Sequence, residues 1–455
     1  MHSQRLGVSH KWFGPKCSCI PSVLAVVLTL SPFTAVLDLP AQTLKLLGEA
    51  GRGGKEIWGY VDASGREYAV VGSVSSGVRV VDVTEPQNSA EVAHFSDVPG
   101  TDVKVWDHYV YSTDGTISAI IDIEDPVNSR LVGSFPAYHN IFISDTGYMF
   151  GEGPGLKIYD LNNDPLNPME VWNDGSGGGH DATVVGSILY DFHGSRATNI
   201  YDISEITAPR LLGAIQDSFI GIHHSGAPSE DGQYLFICDE LALDQEADIT
   251  VWDISDYENP EKVYEIIDPG ATAHNLYVVG NYAFVAYFSA GIRVYDISNP
   301  KAPTMADEYD TNSQTGEGRI GASGIYPFAP SGNIYLVGGG ALNIFSFDLT
   351  TSVEENSHKI NPPAQFELYQ NYPNPFNPTT TISYQISTGA RVDLTIYNAL
   401  GERVRSLLNV HQSAGMHKTE WDGKDDFGHS LSSGQYFCEI QSGSFRNTLK
   451  MLLVE

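Results

Sequence analysis

Positive charge is scarce in this chain. Its 455 residues carry 25 Lys and Arg against 56 Asp and Glu, a formal net charge of −31 at pH 7. No nucleic-acid partner is expected, because phosphate binding draws on Lys and Arg. The acidity keeps the protein soluble and favours cations. Cysteine is scarce too: of four, Cys17 and Cys19 fall in an N-terminal apolar segment, and Cys238 and Cys438 in different predicted domains. No disulfide framework is expected from that distribution. A long unbroken apolar run is also missing, since Ile20 to Leu37 is interrupted by Pro21 and Pro32. With Arg5, Lys11 and Lys16 around it and Leu39-Pro40-Ala41 behind, residues 1–41 read as a signal peptide rather than a retained transmembrane helix. No membrane span is expected in the mature chain, and no lipid-accepting Cys stands near the cleavage point after Ala41.

Signatures of common chemistry are lacking as well. Gly175-Ser176-Gly177-Gly178-Gly179 contains no phosphate-loop Lys and precedes a strand-like run. Ser195 follows His193-Gly194 without the Gly-x-Ser-x-Gly turn that exposes an activated serine. Asp160-Leu161-Asn162-Asn163-Asp164 has the look of a calcium loop but not its downstream Gly and bidentate Glu, so a lengthened turn is expected.

What is present is repetition. An extended apolar run ends in Asp, an aliphatic residue follows, then a turn. The copies centre on Asp82, Asp122, Asp160, Asp202, Asp253, Asp296 and Asp348, at steps of 40, 38, 42, 51, 43 and 52 residues. A period of about forty residues built from β-branched and aromatic runs reads as one four-stranded blade per copy. The fold class is therefore all-β: a seven-bladed β-propeller over residues 42–350, then a small immunoglobulin-like β-sandwich. A carboxylate in every blade is architectural, accepting hydrogen bonds from the turn after it. Each Asp phrase is followed by another short strand, as in Arg130–Phe135 and Arg210–Ile215, except the seventh. The missing strand sits at the other end, as Lys45-Leu46-Leu47-Gly48-Glu49-Ala50, and is expected to pair into the last blade and close the ring.

Beyond a polar linker at 351–363 the repeat stops. Residues 364–455 open with Tyr372-Pro373-Asn374-Pro375-Phe376-Asn377-Pro378 and continue as alternating strands such as Val392–Tyr397, with Trp421-Asp422-Gly423 and Ser433-Gly434-Gln435-Tyr436. This segment resembles the C-terminal sorting domain of type IX secretion cargo and the related immunoglobulin-like domain of flagellar hook-cap proteins. The resemblance implies export to the outer-membrane surface of a Gram-negative bacterium or beyond, with the secretion machinery as a partner. Glu56-Ile57-Trp58-Gly59-Tyr60-Val61, Asp102-Val103-Lys104-Val105, His180-Asp181-Ala182, His223-His224, Asp239-Glu240-Leu241, His274-Asn275-Leu276 and Tyr326-Pro327-Phe328 resemble the choice-of-anchor B family. Its blades are LVIVD repeats. That resemblance implies fold and location but supplies no reaction.

Aligned by their first strands, the blades present Glu56, Asp102, Asn140, Asp181, His224, Asn275 and Gly324 just before the first apolar position. His139, His180, His223 and His274 stand one residue earlier in four consecutive blades. First strands lie nearest a propeller's channel, so these groups should converge at one mouth. Imidazoles beside carboxylates can bind a transition-metal ion. Alternatively Glu56, Asp102 and Asp181, with the side-chain oxygens of Asn140 and Asn275, could hold Ca²⁺. Asp239 and Glu240 could add to either. The candidate set is thus Glu56, Asp102, His139, His180, Asp181, His223, His224, Asp239, Glu240 and His274. Two functions follow: a non-catalytic surface module that binds an extracellular protein or glycan, with a cation at the mouth; or a metal-dependent hydrolase or lyase using the same cluster.

Overall fold

A computed structural model describes residues 44–347 and 367–453 with short interruptions, the longest being 312–319. Residues 1–41, read above as a signal peptide, Asp348 and the expected linker at 351–363 lie outside the described residues. Seven four-stranded antiparallel sheets follow in order, opening at Glu56–Val61, Asp102–Trp106, Asn140–Ile143, Asp181–Val185, His223–Pro228, Ala273–Val279 and Ala322–Tyr326. Each of these first strands lies against the next, and the seventh lies against the first. The seven sheets therefore surround one axis as blades.

The circle closes as the residue pattern requires. Lys45–Ala50 pairs antiparallel with Ala341–Ser346 and becomes the outer strand of the seventh blade. Leu44 and Leu46 join the apolar cluster between blades 6 and 7, while Ala50 joins that between blades 7 and 1. Without this strand a row of backbone donors and acceptors would be left at an edge.

Every outer-strand pairing carries a β-bulge at the same place, such as Leu46/Gly48, Ile120/Ile121 and Ile200/Tyr201. The bulge twists the strand and turns its end toward the next blade. Gly48 shows why the position favours a small residue. A Cβ there would stand 2.0 Å from the Pro86 carbonyl oxygen of the neighbouring blade.

The repeat Asp is a turn device. Oδ1 of Asp82, Asp122, Asp160, Asp202, Asp253 and Asp296 accepts the backbone N–H two residues on, at 2.8–3.2 Å. In the Asp160 turn, Asn163 Nδ2 also donates to Asp160 Oδ2 at 2.6 Å, which satisfies the lengthened loop from within. At the seam between blades 1 and 7, the buried Glu67 carboxylate accepts from Ser331 N, Ser331 Oγ and Tyr335 Oη, each at 2.7 Å.

The C-terminal region forms two further sheets. One holds Glu367–Leu368, Thr380–Ile386 and Gly415–Trp421; the other holds Ala390–Asn398, Arg403–Gln412, Gly434–Ser442 and Phe445–Leu453. Alternating residues such as Ile382, Ile396, Trp421 and Ile440 fill the core of this immunoglobulin-like sandwich. Cys238 and Cys438 are both buried, free thiols.

Candidate functional site

The starts of the first strands converge, and the imidazoles form a row. Ring centroids are separated by 4.7 Å from His139 to His180, 4.4 Å from His180 to His224, and 4.1 Å from His224 to His274. Phe288 follows at 4.6 Å from His274. Lys55, from blade 1, ends the row: its Nζ lies 3.1 Å from His274 Nε2 and 5.4 Å from the Phe288 ring centre.

His224 takes the place in the row that the sequence alignment assigned to His223. The first strand of blade 5 bulges between His223 and Gly226, as that of blade 6 does between Ala273 and Leu276. This makes His224 the counterpart of His274, and Ser225 that of Asn275. The strand offers no clear first apolar residue, so the alignment slipped by one. His223 turns away and places Nδ1 2.8 Å from Thr198 Oγ1; burial pushes its pKa down to about 4.

Glu240, just after the second strand of blade 5 (Tyr234–Asp239), brings Oε2 to 2.9 Å from His224 Nε2 and 3.7 Å from His274 Nε2. One donor atom each from His180, His224 and Glu240 lies within 4.8 Å of the others. Backbone carbonyls orient two of the rings. His224 Nδ1 is 3.1 Å from the His274 carbonyl oxygen, and His274 Nδ1 is 2.8 Å from that of Ser323. Nδ1–H must donate in both, which leaves Nε2 of each ring facing the mouth. His180 Nδ1 is buried without a hydrogen-bond partner. Burial, helped by the neighbouring imidazoles, pushes His180 down to about 3 and His274 well below the usual histidine range. Burial alone would raise the Glu240 carboxyl, but the hydrogen bond and charge of His224 hold it at about 2.

One residue further along the strands lies a second layer, built around Lys104. Its ammonium is buried, 2.6 Å from Asp102 Oδ1 and 5.1 Å from the Trp58 ring centre. Asp102 Oδ2 accepts Ile141 N–H at 2.6 Å; Asp181 Oδ1 accepts Ala182 N–H at 2.7 Å; Glu56 Oε2 accepts Asn275 Nδ2–H at 2.7 Å. Glu56 reaches Asn275 past blade 7 because residue 324 is Gly: a Cβ there would lie 3.0 Å from Glu56 Oε1. Burial would lower the Lys104 pKa, but Asp102, Glu56 and Asp181 raise it above its ordinary value. An internal cation thus already sits among the carboxylates that the Ca²⁺ reading invoked, and Asn140 Oδ1 accepts the N–H of its neighbour Ile141 at 3.1 Å. Asp239 lies outside both layers' chemistry. Its oxygens accept the N–H groups of Gly221, Ile222 and Leu241 at 2.5, 2.9 and 2.9 Å, tying two loops together.

Burial lifts the Glu56 carboxyl to about 7, with Lys104 opposing and Asp102 adding. The folded chain therefore keeps a proton that the unfolded chain releases above its ordinary value of 4.5. This contribution is fully present below about 4.5 and is lost as pH rises to about 7, on the order of 3 kcal/mol. Glu56→Gln is expected to remove that slope. Denaturant midpoints at pH 5 and 7.5 should show the variant gaining on the parent at the higher pH; a constant difference would contradict the assignment.

Several groups escaped the sequence reading. Lys55 occupies in blade 1 the position that His occupies in blades 3, 4 and 6, so blade alignment contained the signal. Lys104, in the otherwise apolar run Val103-Lys104-Val105-Trp106, was a visible anomaly. Glu152 carried no signal. It is wholly buried at the blade 3–blade 4 interface, neither oxygen has a hydrogen-bond partner, and burial with Asp191 and Asp181 raises its pKa well above the usual range.

Two family matches agree with this architecture. The LVIVD repeat family matches residues 270–311, the sixth blade, and the FlgD Ig-like domain family matches residues 374–444. No curated protein matches the chain. Among solved structures, PorZ of Porphyromonas gingivalis, described as an essential bacterial surface component of the type-IX secretion system, aligns at 13% identity with a TM-score of 0.44. The alignment covers 89% of this chain but only 59% of that one. The WD40 repeats of RRP9 align at 11% identity over 67% of this chain and 97% of theirs, with a TM-score of 0.46. Both TM-scores are low, and the propeller is read from its own seven sheets.

Proposed function

We propose that this protein is an exported, non-catalytic binding module of the choice-of-anchor B type, whose propeller holds a transition-metal ion at the channel mouth on His180, His224 and Glu240. The observation that carries this reading is the convergence of one donor atom each from His180, His224 and Glu240 within 4.8 Å of one another. The Nδ1–H of His224 is committed to a backbone carbonyl, which aims Nε2 at a Glu240 oxygen 2.9 Å away. A proton can bridge that pair, and a metal ion bound there takes the proton's place. Second-layer carbonyls that fix ligand tautomers are a regular feature of metal sites. Imidazole nitrogen with one carboxylate suits zinc and its transition-metal neighbours better than Ca²⁺.

The N-terminal signal pattern and the C-terminal immunoglobulin-like domain support export, with the type IX secretion machinery as the partner that reads the tail. The outer-membrane surface of a Gram-negative bacterium or its surroundings is the resulting location, and an extracellular protein or glycan the resulting ligand. The test is metal analysis of the purified full chain after dialysis against mixed divalent ions. One stoichiometric transition-metal ion is expected, lost in the His180→Ala, His224→Ala double variant. A metal-free parent whose melting is unchanged by chelation would remove the reading.

A further inference from the structure

The ligand that docks on this mouth can be narrowed by its surroundings. The inference rests on the metal reading above. Three protein donors leave a tetrahedral ion one open position. Beside it stands Lys55, whose ammonium meets His274 Nε2 at 3.1 Å and takes that imidazole out of the donor set. A divalent ion, one carboxylate and one ammonium make a positive site in a chain of net charge −31. A ligand offering two oxygens on one carbon can give one to the ion and the other to the lysine, which is a charge-assisted pair.

The loops carrying these groups also expose apolar side chains. Leu241, next to Glu240, is 37% exposed; Phe219, in the loop leading to His224, is 83% exposed; Ile267, in the loop leading to His274, is 46% exposed. Gly221 lies against Leu241, whereas the Phe219 ring sits by Lys262 of the outer strand of blade 5, its centre 5.8 Å from Nζ. A polysaccharide carboxylate would leave Leu241 and Ile267 uncovered, whereas a polypeptide with apolar residues flanking an acidic one would cover them.

We propose that the mouth binds an acidic peptide segment, its carboxylate bridging the metal ion and Lys55 and its apolar flanks covering Leu241 and Ile267. The carboxylate completes the coordination shell and displaces water from the open position. No bond within the peptide breaks.

The experiment uses the full chain loaded with Co²⁺, whose visible spectrum reports the coordination shell. Acetate, galacturonate, and a capped tripeptide of leucine, glutamate and leucine are titrated in turn. The tripeptide is expected to change the spectrum at about tenfold lower concentration than acetate. With Co²⁺ held saturating, Lys55→Met should raise the concentration needed for either by about tenfold. Leu241→Ala should weaken the tripeptide alone. Failure to bind Co²⁺ would defeat the underlying metal reading. Co²⁺ binding with a spectrum indifferent to every carboxylate would overturn this inference alone. Galacturonate binding as tightly as the tripeptide would overturn the peptide assignment in favour of an acidic polysaccharide.

Discussion

Replacing Lys104 with methionine is expected to destabilise the propeller by about 3–5 kcal/mol, the range seen when one partner of a buried ion pair is removed. The ammonium is 3% exposed and serves Asp102 directly, with Glu56 and Asp181 in its field. Without it these carboxylates have no counter-charge, and their least costly response is to bind protons. The deficit should therefore shrink on acidification, because the folded variant takes up protons that its unfolded chain does not. Denaturant unfolding of the full chain at pH 5 and pH 7.5 checks both points. A variant as stable as the parent, or a deficit independent of pH, would mean that Lys104 does not hold this layer together.

Deleting residues 42–50 should lower the propeller's melting temperature by about 10 °C or more, if the loss is several kcal/mol and each shifts the midpoint by about 2–4 °C. Two effects add. The Ala341–Ser346 edge loses its partner along the whole register from Lys45 to Ala50, and Leu44, Leu46 and Ala50 leave the clusters on either side of blade 7. A synthetic peptide of residues 42–50 should restore part of the loss in trans. An unchanged melt would mean that the ring does not depend on this strand.

The larger plan was legible because it rests on period and on turn chemistry. Seven Asp phrases predicted seven sheets, and the strand missing after Asp348 pointed to Lys45–Ala50 as the closing piece. The six described Asp residues act in turns, as the recurrence of the phrase implied. The convergence of His139, His180 and His274 followed from an alignment of the first strands, to which Glu240 was added from the end of the second strand of blade 5. What periodicity could not count was a bulge. One extra residue in the first strand of blade 5 exchanges His223 for His224, and strand alternation then sends the two rings to different surroundings. Nor could sequence separate the imidazole layer from the carboxylate layer, since the two differ by one residue along each strand. Lys104 decides that separation: its long side chain reaches from the same strand as Asp102 into a ring of carboxylates drawn from blades 1, 2 and 4. Buried Glu152 marks the limit, because nothing in its local run distinguishes an unpartnered carboxyl from a surface one.

The central claim is that an ion belongs in the imidazole layer and not in the layer beneath. Anomalous diffraction from crystals of the full chain loaded with Zn²⁺ or Co²⁺ tests it most directly. The account predicts one dominant peak about 2.0–2.2 Å from a nitrogen of His180, a nitrogen of His224 and an oxygen of Glu240. A dominant peak among Glu56, Asp102 and Asp181, or none at the channel mouth, would contradict it.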